Sequence, residues 1–119
     1  MASALQISYR NDNVANTAIL VVAGNYAVAG WNLINPIATN AYLKIYNSAT
    51  AVGVVLGTTT PILTLQIPAS GTFWQSNEEK FQIAFPSGIV IAVTTGMADS
   101  STAGPATNCY VQLFYNSNV

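Results

Sequence analysis

Short β-branched and aromatic runs recur along the whole chain, each broken by Gly, Pro, Asn or Ser, and none sustains a helical period. Runs of that length and alternation bury one face of a strand, not the stripe of a helix. They predict an all-β fold: a single β-sandwich, jelly-roll-like, of about eight antiparallel strands. The 119 residues leave room for one domain with one core, spanning residues 1–119.

Individual runs give the faces. In "ALQISYR", Leu5, Ile7 and Tyr9 share one side, and Asn11, Asp12 and Asn13 read as the following turn. "TAILVVAG", Thr17 to Gly24, is apolar on both faces, as in a strand covered on both sides or lying at a subunit interface. "VAGWNLIN" sets Trp31 and Leu33 together and is closed by Pro36; "AYLKIYN" turns Ala41, Leu43 and Ile45 inward and leaves Tyr42, Lys44 and Tyr46 as an aromatic outer face. Ser48 to Gly57 is small and apolar and reads as a mobile or partner-facing loop. "TPILTLQIP" is a strand bracketed by Pro61 and Pro68, with Leu63, Leu65 and Ile67 inward. "ASGTFWQSNEEK" turns through Ser70 and Gly71, "FQIAF" sends Phe81, Ile83 and Phe85 to the core, and "IVIAVTT" buries Ile89, Ile91 and Val93. The last strand, "NCYVQLFYN", puts Cys109, Val111, Leu113 and Tyr115 on one side. Between the last two lies Gly96 to Gly104, longer than a tight hairpin, which reads as a connection able to pack on a neighbouring subunit.

The surface of such a sandwich must be unusual. Charged residues are only 6% of the chain, against about 25% in an ordinary soluble domain. The charges are Arg10, Asp12, Lys44, Glu78, Glu79, Lys80 and Asp99; with a net charge of -1, copies repel one another weakly and association is favoured. Three scattered cations are too few to displace counterions from nucleic acid or to hold an anionic membrane surface, so neither is expected as a direct partner. The longest apolar candidate, "IAFPSGIVIAV", is cut by Pro86, Ser87 and Gly88 and falls short of a spanning helix. "MASALQISYRN" has no basic stretch leading into an apolar one, so no signal peptide is expected.

Candidates for chemistry are sparse. The chain has no histidine, which removes the usual general base and the commonest metal ligand. Cys109 shares a strand face with Val111 and Leu113 and has no basic neighbour in sequence, which suits a small core residue better than a nucleophile. Glu78 and Glu79 are adjacent and point apart in an extended chain; with Lys80 they suit a soluble turn. Asp12 and Asp99 are a remote carboxylate pair, and "ADSST" lacks the spaced acidic ligands of a calcium loop. No catalytic, cofactor-binding or metal-ligating residues are assigned, and no cofactor is expected. The aromatics Trp31, Trp74, Tyr26, Tyr42, Tyr46 and Tyr110, set among many Asn and Gln, are the residue types that stack on sugar rings, although large aromatics in a sandwich serve more commonly as core or interface anchors.

The stretches "AYLKIYNSATA", "GTTTPILTLQIPASGTF", "FPSGIVIAVTTGMADSSTAGPA" and the terminal "VQLFYN" resemble a short domain of virion-associated proteins of tailed bacteriophages and prophage regions. The resemblance covers residues 41–115, and residues 1–40 are less distinctive. It implies a small β-sandwich that decorates or cements a phage head, commonly as a homotrimer bridging capsomers of the major capsid protein. The implied location is the capsid surface of a virion assembled in the host bacterial cytoplasm. Some related domains sit in tails or fibres, where the alternative role is binding host-surface carbohydrate. The motifs are structural, so the resemblance transfers no site residue.

Overall fold

A computed structural model describes residues 6–75 and 82–117. It folds them into β1 (Gln6–Val14), β2 (Ile19–Ala23), β3 (Tyr26–Ile34), β4 (Ala41–Asn47), β5 (Leu63–Ile67), β6 (Thr72–Gln75), β7 (Ile83–Phe85), β8 (Gly88–Thr94) and β9 (Cys109–Ser117). The first sheet has the order β1-β9-β3-β6, with β7 also on β3, and the second has the order β2-β8-β4-β5. β6 pairs with Trp31 to Ile34 and β7 with Tyr26 to Val28, so the two are collinear halves of one interrupted edge strand. Taken as one, they leave four strand positions in each sheet, every pairing antiparallel. The chain crosses between sheets in a pattern that its second half mirrors. This is the jelly roll that the strand pattern predicts.

Alternation fills the space between the sheets. Trp31 and Leu33 of β3, Leu43 and Ile45 of β4, Ile89, Ile91 and Val93 of β8, and Val111 and Leu113 of β9 form the core, with Phe85 from β7. Each such side chain contributes roughly 1.5–3 kcal/mol by leaving water. Trp31 meets Phe73 edge to face at 5.5 Å, and Tyr26 meets Tyr115 at 5.4 Å.

One buried polar residue ties two connections together. Asn35, only 1% exposed, follows β3. Its Nδ2 donates to the carbonyls of Thr39 at 2.8 Å, Ile67 at 3.2 Å and Pro68 at 3.3 Å, and its Oδ1 accepts from Ile37 N. Its backbone N–H donates to Gly71 O at 2.9 Å. The turn after β3 is thereby locked to the β5–β6 turn, where Ser70 takes a left-handed φ of 49°. At the opposite end, Gly88 has φ 152°, and a Cβ there would lie 2.4 Å from Ser48 O and 2.8 Å from Val22 O, so only glycine lets β8 begin between those two backbones.

The structure departs from the sequence reading in several places. The expected turn at Asn11, Asp12 and Asn13 is the continuation of β1, with an irregular register between Asn11 and Val14 and a local bond from Asn13 N to Asn11 Oδ1. A bulge satisfies locally what Asx residues would otherwise satisfy in a turn. β2 is an edge strand with Leu20 38% exposed, whereas the strand covered on both sides is β8, buried at every position. β6 adds a short strand inside the expected turn region. Leu5, Glu78, Glu79, Lys80 and Phe81 lie outside the described residues.

Candidate functional site

The jelly roll has two outer faces. On the second sheet, the residues that alternate away from the core are Tyr42, Lys44 and Tyr46 of β4 and Val90, Ala92 and Thr94 of β8, set opposite one another in register. Lys44, Tyr46, Val90, Ala92 and Thr94 are all fully buried. What covers them is the chain's own connections. Val54 and Leu56, from the β4–β5 connection, pack with Tyr46, Val90 and Ala92 into a second hydrophobic cluster. The β8–β9 connection lies beside it: Lys44 Nζ donates to Ala98 O, Thr95 N to Ala103 O at 2.9 Å, and Asn16 Nδ2 to Thr102 O at 3.1 Å. A Cβ on Gly57 would stand 2.7 Å from Thr102 Cγ2, so the two connections touch each other. The segments expected to be mobile or to pack on a neighbour are thus docked on this chain's own sheet.

Electrostatics follow from that cover. Burial pushes the Lys44 ammonium below its ordinary value, while the nearby Asp99 carboxylate works the other way. Burial, then Asp99, pushes the Tyr46 phenol up. The Tyr46 hydroxyl has no hydrogen-bond partner among the described residues. Lys44 is a clamp: its side-chain hydrogen bond to Ala98 O fastens the β8–β9 connection over the sheet.

The outer face of the first sheet has no such cover from the described connections. Register places Trp74 of β6 opposite Asn32 of β3, Asn32 opposite Gln112 of β9, and Gln112 opposite Arg10 of β1. One row across the sheet therefore reads Trp, Asn, Gln, Arg. The next row pairs Ile34 with Tyr110. Trp74 is 65% and Ile34 40% exposed. Gln112 is oriented by its own neighbours, donating from Nε2 to Ser8 Oγ at 2.9 Å and lying 3.5 Å from the Tyr110 hydroxyl.

The residues singled out from sequence do not converge. Cys109 is fully buried, its thiol pushed up by burial and 3.9 Å from Asn35 Oδ1, which makes it a core residue. Asp12 lies on the edge strand of the first sheet and Asp99 in the connection over the second. No group of three or more potential metal ligands occurs among the described residues. Of the six aromatics, Trp31 and Tyr46 are buried, Tyr26 packs on the core, Tyr42 is half-buried on the second sheet, and only Trp74 and Tyr110 share the open face. The described residues lining an open cleft of about 330 Å³, Gln66, Pro68, Thr72 and Phe73, carry no titratable side chain. Sequence reasoning missed the Trp74 row because it is assembled from four strands, one of them unpredicted.

No protein-family model matches the chain, and no curated protein matches it. Among solved structures, a chain from Bacillus endospore appendages, described as a novel family of disulfide-linked pili, superimposes with a TM-score of 0.48 and 15% identity, over 95% of this chain and 87% of that one. No helix among the described residues is long and apolar enough to cross a membrane.

Proposed function

We propose that this chain is a non-enzymatic structural protein that works by self-association and packing on other proteins, as a decoration or cement protein on a bacteriophage head. The observation that carries this reading is the surface. Val52, Val55, Ile62, Trp74 and Met97 are each at least half exposed, at 89%, 56%, 50%, 65% and 66%, on a chain with a net charge of -1. A surface so apolar and so weakly charged favours burial against other subunits. The sequence resemblance supports the phage-head setting, with the major capsid protein as partner, a homotrimer as the unit, and many weak contacts adding by avidity.

Saturating binding of the purified chain to capsid shells that lack it, at a fixed ratio to the capsid protein, is the expected result. Absence of binding to shells, with specific binding to host-surface glycans instead, would move the chain to the tail or fibre role. That second reading draws on one observation, the exposed Trp74 beside the amides of Asn32 and Gln112.

A further inference from the structure

We infer that the open outer face of the first sheet is a two-fold interface, closed by the same face of a second copy of this chain. The inference deepens the structural reading above and depends on it for its biological role; its geometry stands on strand register alone.

The order β1-β9-β3-β6 sets the symmetry. When two such sheets face each other, a two-fold axis can lie between them, along the strands and midway between β9 and β3. It carries β1 of one copy over β6 of the other, and β9 over β3. Residues of one transverse row then meet the same row reversed. Arg10 comes over Trp74 of the second copy, and Gln112 over Asn32. In the next row Ile34 comes over Tyr110. Each meeting is complementary in kind. A guanidinium over an indole face is the favoured cation–π pair. A primary amide over a primary amide offers a donor and an acceptor to each side. An isoleucine over a tyrosine ring buries apolar area on both. Because the contact is isologous, every pairing occurs twice.

Charge and size agree with this occupant. Arg10 is the one cation in the row, and reversal places it against an aromatic ring rather than against its own copy. β1, β3 and β9 are nine residues long and β6 and β7 four and three; at about 4.8 Å between strands and about 3.3 Å per residue the face covers roughly 540 Å² per copy, or roughly 1,100 Å² for a pair, just above the area of about 1,000 Å² that a specific interface must clear. Sheets packed face to face cross at about 30°, which displaces the outer Arg10–Trp74 meeting by about one residue and leaves the central pairs in place. The arginine stem spans that displacement. The other outer face is unavailable for such packing, since Val54 and Leu56 already occupy it.

The test is a charge swap read by light scattering and sedimentation across concentration, on the full chain of 12.5 kDa per copy. Wild type is expected to reach an even number of copies: a dimer or, with the homotrimer proposed above, two trimers joined through this two-fold contact. Trp74→Lys sets a cation against Arg10 and is expected to raise the dissociation constant of that contact at least about tenfold. Arg10→Glu combined with Trp74→Lys is expected to restore association to within about threefold of wild type. Both side chains sit on the open face, so folding is checked by an unchanged far-ultraviolet spectrum and melting midpoint at low concentration. A concentration-independent monomer, an odd-numbered oligomer, or a double variant no better than Trp74→Lys alone would overturn the two-fold interface. A glycan that binds wild type and is lost in Trp74→Lys, without any dimer, would overturn it too. Shell binding is measured separately: wild type that decorates shells as a monomer contradicts this interface and leaves the structural role standing, whereas a dimer that ignores shells does the reverse.

Discussion

The two outer faces of the jelly roll are built from the same kind of strand and meet opposite fates. The second sheet carries Tyr46, Val90 and Ala92 outward, and two long connections fold over them and bury even Lys44. The first sheet carries Ile34, Tyr110 and Trp74 outward, and no described connection is long enough in the right place to cover them. Apolar side chains on the outer face of a sandwich gain stability when something covers them. Among the described residues the chain supplies that cover on one face, and the row left open on the other is where a partner would gain most.

The sharpest way to break the comparison is to put one charge on each face. Val90→Asp buries a carboxylate in the covered cluster and is expected to cost about 4 kcal/mol or more of unfolding free energy, measured by urea denaturation. Trp74→Asp, on the open face, is expected to change the same quantity at low concentration by no more than about 0.5 kcal/mol. Equal losses would mean that the two faces do not differ as described.

Tyr46 sharpens the covered side further. Tyr46→Ala removes a large buried ring and is expected to cost about 3–5 kcal/mol. Tyr46→Phe removes only a hydroxyl that has no partner among the described residues, and stability is expected to stay within about 1 kcal/mol of wild type or to rise. A large loss for Tyr46→Phe would reveal a hydrogen bond that the structure lacks.

Lys44 gives the comparison a pH signature. Its folded pKa lies below the ordinary 10.5 because burial disfavours the ammonium, although Asp99 opposes the shift. Between the two pKa values the unfolded chain holds the extra proton, so this group makes stability rise as pH rises toward 10.5. Tyr46 and Cys109, whose pKa values burial raises, act with the opposite sign at high pH. The informative quantity is therefore the difference between wild type and Lys44→Met, which is expected to move in favour of wild type from pH 7 to pH 10. A difference independent of pH would show that Lys44 is solvated. The smallest folding effect is expected from Val55→Lys: an exposed position on the connection, a change within about 0.5 kcal/mol, and a larger loss of particle occupancy than of stability.

Much of the fold was legible from alternation. Ala41, Leu43 and Ile45, or Cys109, Val111, Leu113 and Tyr115, needed only the period of a strand to be placed inward. Alternation says which residues share a face and nothing about what lies over that face. Lys44 and Tyr46 therefore read as exposed, because their cover comes from connections outside their own strand, Val54 and Leu56 over Tyr46 and Ala98, 54 positions on, over Lys44. The continuation of β1 through Asn11 and Asp12 was masked by residue types that also make turns, and β6 by its four-residue length. The open row of Trp74, Asn32, Gln112 and Arg10 depends on the pairing of four strands, which no local pattern contains.

Hydroxyl-radical footprinting of the native chain across concentration tests the central claim most directly, because it reads both faces at once. Tyr46 is expected to be protected at every concentration and Met97 to be reactive throughout, while Trp74 and Tyr110 lose reactivity together as concentration rises. Trp74 that stays as reactive in the associated protein as in the dilute one, or Tyr46 that reacts in the folded chain, would contradict the account.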